Sequence, residues 1–368
     1  MGGRDEGTPA TIRSVLYRTT GAPSVEPTAT DRCPPTAAAV PAENIVKILV
    51  TGGAGFIGHH LVRGLLARGD EVTVIDDLST GFRTRLEPVL GAIRFVEGSI
   101  LDPDALDRAV AGTEVILHEA AIPSVARSLL KPELSNAVNA GGTIQVMLAA
   151  ARHGVRRVVY AGSSSVYGIP ATLPCVETMK PDPRSPYGVS KIAAELYLHT
   201  LGDLHKIETV VLRYFNVFGP GQDPNSEYAA VVPKFVTAAL AGERPTVNGT
   251  GDVSRDFTFI DNVVSANLLA SLPTSRSPLT CNVACGTRFS LLQLLDAISA
   301  VTGRPADPIF GPPRKGDIRD SEADISVARR ELGYQPLVQF EEGIARTVAW
   351  YRDNAAGAAA GSGAPTRA

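Results

Sequence analysis

The chain has 368 residues, enough for one large domain or two modest ones. Its formal net charge of -3 gives no field to hold a nucleic acid or an anionic membrane, so an anionic ligand has to be met by a few placed Arg or Lys. Cys33, Cys175, Cys281 and Cys285 are too few and too scattered for a disulfide scaffold and read as reduced thiols.

Residues 1–44 are rich in Pro, Thr, Ala and Gly, carry Arg4, Asp5 and Glu6 near the start, and have no apolar run of the secretory kind. They predict a disordered extension. No stretch of the chain approaches the roughly 18 apolar residues of a membrane span, so a cytoplasmic protein is expected.

From Val46 onward, VKILV, VTVID, IRFV, VIL, VRRVVY and TVVLR read as strands alternating with helical patterns. That alternation predicts an α/β fold, a doubly wound parallel sheet of the Rossmann type with helices on both faces. Ile57, Leu61 and Leu65 form the buried stripe of the first helix, and Gly69 stops it. Beyond about residue 218 the pattern loosens into Pro/Gly-rich segments, with helices near 232–240 and 291–301. The expected division is a nucleotide-binding domain over 45–218, a smaller α/β substrate-binding region over 219–354, and a flexible tail over 355–368.

VKILVTGGAGFIG places Gly52, Gly55 and Gly58 between an apolar strand and an amphipathic helix. Without side chains the backbone turns tightly and approaches a pyrophosphate, whose charge then sits at the helix N-terminus. Asp76 ends the next strand, where a carboxylate accepts hydrogen bonds from an adenosine ribose and repels a 2′-phosphate. NAD is therefore expected in preference to NADP, with Asp77 a second candidate for the ribose.

In SPYGVSK, Tyr187 and Lys191 are spaced to share one face of a helix, so the ammonium favours phenolate and lowers a pKa that is otherwise about 10. A base at neutral pH needs that shift. Ser163, Ser164 and Ser165 stand at the carboxyl end of a central strand, the edge where open α/β sheets bind ligands. A hydroxyl there can hydrogen-bond the reacting oxygen. His59, His60 and His118 lack metal-ligand spacing, so no metal is expected.

These motifs, with HEAAIPSVARS, NAVNAGGT, YAGSSSVYG, LRYFNVFGPGQDP, NGTGDVSRDF and RKGDIRDSEADIS in the same order over residues 46–352, resemble the extended short-chain dehydrogenases/reductases. Within them the chain is similar to the UDP-sugar 4-epimerases. The resemblance implies that Tyr187 takes the proton from the sugar O4 while the C4 hydride passes to NAD, Ser163 polarises that oxygen and Lys191 also holds the nicotinamide ribose. The 4-keto sugar then turns and receives the hydride on its other face, so NAD stays bound.

The same resemblance puts Phe56, Ile57, Ile100, Ala120 and Asn139 around the cofactor. Ser99 stands where epimerases carry an Asp facing the adenine, which implies weaker retention of NAD. It also implies Asn216, Arg255 and Arg314 on the sugar diphosphate and Asp317 on the uridine ribose. Ser124, Ser164, Gln222, Ala230, Val231 and Ser321 would surround the sugar, and a homodimer would form through paired helices.

Related 4,6-dehydratases carry Asp and Glu where this chain has Ser164 and Ser165, and UDP-glucuronate decarboxylases carry Glu for Ser165. Uronate 4-epimerases tend to have Thr for Asn216 and Arg for Asp223. At the position of Ser321 a Tyr leaves room only for a hydroxyl at C2, whereas a small residue admits an acetamido group. The resemblance thus favours the UDP-N-acetylglucosamine 4-epimerase group, interconverting UDP-GlcNAc and UDP-GalNAc with UDP-Glc and UDP-Gal also turned over. The alternatives are a uronate epimerase, a dehydratase or decarboxylase, and a silent NAD-sensing protein of the same fold.

Overall fold

The structure, a computed structural model, describes residues 45–224, 230–312 and 319–361. The 1–44 segment, Arg314 and Asp317 lie outside the described residues. The β-branched runs form β1 (Lys47–Thr51), β2 (Glu71–Asp76), β3 (Ile93–Glu97), β4 (Val115–His118), β5 (Arg157–Ser163) and β6 (Glu208–Tyr214). Between them lie α1 (Phe56–Arg68), α2 (Pro103–Val110), α3 (Val125–Leu130), α4 (Pro132–Asn136), α5 (Gly142–His153) and α6 (Pro186–His205). Gly69 closes α1 in the left-handed region at φ 96°, its N–H reaching the carbonyls of Leu65 and Leu66.

Next come β7 (Val217–Phe218), α7 (Val231–Ala241), β8 (Thr246–Asn248), β9 (Ser254–Arg255), β10 (Thr258–Phe259) and α8 (Ile260–Ala270). The chain then lays down β11 (Leu279–Val283), and finishes with β12 (Phe289–Ser290), α9 (Leu291–Thr302), β13 (Ile309–Gly311), β14 (Asp320–Ser321), α10 (Ser326–Leu332) and α11 (Phe340–Gly361). The part of the tail from 355 that was expected to be flexible continues α11 through Gly361. Its alanine run has the strongest intrinsic helix preference of any composition.

One parallel sheet has the order β11-β6-β5-β4-β1-β2-β3. The direction of winding reverses between β1 and β4, which opens a crevice at the carboxyl ends of those strands. Successive strand residues face opposite layers. Ile48, Val50, Val74 and Leu117 join Leu61 and Leu65 of α1 and Val263 of α8 in one core. Leu49, Ile75, Ile116 and Val158 join Leu106 of α2, Met147 of α5 and Leu198 of α6 in the other.

The boundary drawn at 218 does not divide the sheet, because β11 returns from the later segment and pairs with β6 along five positions. LTCNV is short and flanked by turn residues, so it gives little sign of belonging to the main sheet. Among the described residues no helix is long and apolar enough to cross a membrane.

Candidate active site

The switch-point crevice is a cleft of about 600 Å³, within the roughly 300–1,000 Å³ usual for small-molecule sites. Gly52, Gly55, Phe56, Ile57 and Gly58 form one wall, with Asp76, Asp77, Ser99, Ile100 and Ala120 along it. Gly52 sits at φ 71°, and a Cβ there would come within 2.8 Å of the Ala120 backbone. A Cβ on Gly58 would lie 2.2 Å from the Gly52 carbonyl oxygen. The turn and the start of α1 are therefore built for close backbone approach. The first turn of α1 has neither a capping side chain nor an acidic residue, so its positive end faces the cleft without an internal anion.

Asp76 is fixed by two backbone donors, Ala54 N at 2.9 Å and Leu78 N at 2.8 Å. Burial raises its pKa and these hydrogen bonds oppose the shift. Its carboxylate keeps further acceptor capacity toward the cleft, as a ribose diol requires. The Ser99 hydroxyl also lines the cleft and accepts from Leu101 N at 3.2 Å. An open helix N-terminus, a turn that excludes Cβ atoms and an anchored carboxylate fit a dinucleotide.

Asn139 departs from its expected place. It is 1 % exposed and lies behind the cleft wall. Its amide oxygen accepts from Ile122 N at 2.8 Å, and its amide nitrogen donates to Ile122 O and to Ser190 Oγ, at 3.3 and 2.9 Å. Both amide protons are thus engaged inside the protein, so Asn139 holds the wall at Ile122 and leaves no amide donor for a cofactor.

Tyr187 enters the cleft from the first turn of α6. Ser185 caps that helix by accepting from Gly188 N at 3.1 Å, Pro186 occupies its first turn, and Tyr187 N donates to Ser128 Oγ at 3.0 Å. Lys191 follows one turn later, 3 % exposed, with Nζ 4.4 Å from the centre of the Tyr160 ring. Ser163 ends β5. Its hydroxyl bonds Ser165 Oγ at 2.8 Å and also engages Tyr187.

The electrostatics differ from the sequence expectation. Burial raises the pKa of the Tyr187 phenol, a hydrogen bond with Ser163 lowers it, and the charge of Glu119 raises it again. Burial pushes Lys191 down to about 8, opposed by Glu119 and Glu195. Desolvation of two groups in one wall therefore outweighs the help that four-residue spacing alone suggested.

Three of the remaining candidates, Ser124, Gln222 and Ala230, line the same cleft. Val231, the first residue of α7, packs instead against the core. A smaller pocket of about 50 Å³ adjoins Ser164, Tyr167, Cys175, Asn216, Arg255 and Ser321. Asn216 Nδ2 donates to Asp256 O at 3.1 Å and to Ser321 Oγ at 3.2 Å. Asp256, whose carboxylate accepts from Cys285, Gly286 and Ala323 N, pins the segments that carry Arg255 and Ser321.

The histidines are engaged internally. His118 lies between the hydroxyls of Thr51 and Thr143 at 2.7 and 3.0 Å, and burial drives its pKa to about 3. His59 bonds Gly55 O and His60 bonds Pro220 O, both at 2.9 Å.

The cleft residues not singled out from the sequence include Glu119, Tyr214, Arg85 and Arg127. Glu119 directly follows β4 and Tyr214 ends β6 at the ligand-binding edge, a signal available from strand ends alone. Arg85 gives no such signal, being in a short turn. It donates to Ala54 O and Gly221 O, at 3.2 and 2.7 Å, and so ties the glycine turn to the loop carrying Gln222 and Asp223.

This combination defines a nucleotide-binding enzyme of the short-chain dehydrogenase/reductase type. The NAD dependent epimerase/dehydratase family matches residues 48–284. A UDP-glucose 4-epimerase of Mycolicibacterium smegmatis is 41% identical over 84% of this chain and 99% of its own length. The solved UDP-glucose 4-epimerase of Thermotoga maritima, with UDP-glucose, is 36% identical with a TM-score of 0.80, covering 84% of this chain and 99% of its own. The UDP-N-acetylglucosamine 4-epimerase of Methanobrevibacter ruminantium, in complex with UDP-N-acetylmuramic acid, is 35% identical with a TM-score of 0.80, covering 84% and 100%. The chain belongs to the NAD dependent epimerase/dehydratase family, and NAD is its cofactor.

Proposed function

We propose that the chain is a UDP-sugar 4-epimerase that interconverts UDP-GlcNAc and UDP-GalNAc and also accepts UDP-Glc and UDP-Gal. The observation that carries the sugar preference is the pocket beside Ser321, a short side chain held by Asn216 with about 50 Å³ of free space behind it. An acetamido group requires such room, and an enlarged pocket does not reject the smaller hydroxyl. In this reading Tyr187 accepts the O4 proton and later returns it, and Ser163 orients the oxygen. Lys191 binds the nicotinamide ribose, and Arg255 holds the diphosphate, joined by Arg314 and with Asp317 on the uridine ribose. Asn216, expected on the diphosphate, has both amide protons engaged by Asp256 O and Ser321 Oγ and instead positions Ser321. Bound NAD supplies the hydride acceptor and donor. The absence of a carboxylate at Ser164 and Ser165 argues against elimination of water.

Arg127 on the cleft wall favours a second reading, a uronate sugar. Asp223 on the same cleft opposes it, although Arg85 lies near enough to moderate that charge.

Incubating the purified protein separately with UDP-GlcNAc, UDP-Glc and UDP-GlcA, with C4 configuration assigned by proton NMR, tests these readings. Inversion of the first two is expected. A 4-keto-6-deoxy product, or release of UDP without a new epimer, overturns the assignment. In the same assay Ser321→Tyr is expected to lower turnover of UDP-GlcNAc by roughly tenfold or more while leaving UDP-Glc within a few-fold. Equal losses on both sugars would remove Ser321 as the gate.

The proposed assembly is a homodimer through α6. Val189, Leu196, Tyr197 and Leu204 form one stripe of that helix, and Leu196 and Leu204 are 61% and 69% exposed. A solvent-facing apolar stripe of this length marks an interface, and a two-fold axis lets it pack on its own copy. Sedimentation velocity should give a dimer for the parent and a monomer for Leu196→Glu. A parent that sediments as a monomer contradicts the assembly.

A further inference from the structure

Glu119 is an acid on the cleft wall to which the proposed reaction gives no part. It directly follows β4, and its Oε1 accepts from Tyr214 Oη at 2.8 Å. Tyr214 Oη in turn accepts from Asn267 Nδ2, also at 2.8 Å, so a short relay from α8 through β6 fixes the carboxyl. The donor is neutral, and among the described residues no cation lies within ion-pair distance of Glu119.

The surrounding titratable groups leave Glu119 a distinct place. On α6, Lys191 and Tyr187 both feel its charge. The other acid near Lys191, Glu195, is paired in a fork with Arg213 at 3.1 and 2.5 Å, both side chains almost wholly buried. Its charge is therefore largely cancelled. His118, preceding Glu119 on β4, is held neutral between two threonine hydroxyls, and Tyr160 on β5 offers Lys191 only its ring face. Glu119 is left as a carboxyl without an ion-pair partner, among the described residues, on the cleft wall it shares with Lys191 and Tyr187.

We infer that Glu119 is a positioning residue that acts as the through-space counter-charge to Lys191 and thereby sets the pH window in which Tyr187 exchanges its proton with the sugar. The inference rests on the reading of Tyr187 as the base. Burial pushes the Glu119 carboxyl up to about 7, opposed by Tyr214 and Lys191, so its own charge changes near neutral pH. A carboxylate here favours the protonated form of both neighbours. Removing its charge therefore lets Tyr187 lose its proton, and Lys191 its charge, at lower pH.

The test is the pH profile of kcat/KM for the NAD-loaded enzyme with UDP-GlcNAc and UDP-Glc, comparing the parent with Glu119→Gln, Tyr214→Phe and Tyr187→Phe. In Glu119→Gln, which keeps the shape and an acceptor for Tyr214, both limbs are expected to move to lower pH by about half to one unit. Tyr214→Phe strips the carboxylate of its hydrogen bond, keeps it neutral to higher pH, and should move the limbs the same way by less. A fall in kcat with both limbs unmoved, or limbs moving in opposite directions, overturns the inference. If thermal melting shows that Glu119→Gln does not fold, the direction in Tyr214→Phe decides. The control separates the two levels. Full activity in Tyr187→Phe refutes the base assignment, whereas an inactive Tyr187→Phe with fixed limbs in the other variants refutes only the role of Glu119.

Discussion

Replacing Tyr187 by Phe is expected to lower C4 inversion by about 10²–10⁴-fold, the range for removing a positioned acid or base. The substitution takes away one hydroxyl whose contact is Ser163, and Ser163 keeps its bond to Ser165. The helix start survives, because Ser185, Pro186 and the bond from Tyr187 N to Ser128 do not involve the phenol. The loss should therefore fall on turnover, with bound NAD and the melting temperature close to the parent. Epimer formation by NMR and NAD content after denaturation measure both. Turnover undiminished in Tyr187→Phe would assign proton transfer to another group.

Gly58→Ala is expected to strike the fold and the cofactor together. The new methyl would sit 2.2 Å from Gly52 O and 2.7 Å from Gly53 Cα, both backbone atoms of the turn. Neither can retreat without dragging Gly52, which is itself against Ala120. Overpacking of this kind costs about 1–3 kcal/mol even where side chains can adjust, and here the obstacle is backbone. Thermal melting followed by circular dichroism should show a loss of at least several degrees, and titration with NAD a weaker affinity. Unchanged affinity would mean that α1 can shift without disturbing the cofactor site.

The sequence made the cofactor half legible because each of its signals is local. A strand, a glycine turn, a helix and an acid at the end of the next strand lie within one short stretch, and the sheet places them together automatically. The pairing of Tyr187 with Lys191 was equally local, but its charge balance was not. Glu119 comes from just after β4, far from α6 in the chain, and the burial that raises Tyr187 and lowers Lys191 is a property of the assembled wall. Asn139 misled for a related reason. Its motif marks the right neighbourhood, yet which atoms an amide bonds depends on Ile122 and Ser190, both remote in sequence. Likewise β11 was hidden because a five-residue run, LTCNV, with only Leu279, Cys281 and Val283 apolar, carries no sign of its partner.

That last strand has a mechanical consequence. After β6 the chain departs to build the cleft wall that carries Gln222 and Ala230, then comes back to lie in register along β6 from Leu279 opposite Val210 to Val283 opposite Tyr214. The two walls are thus stitched to a common seam, and drawing them widely apart means unzipping a buried strand. Opening by peripheral loops costs far less than opening by rupture of the core. Ligand traffic is consequently expected through small excursions at the rim, which suits the proposed reaction, in which a keto sugar turns over within the site without leaving it.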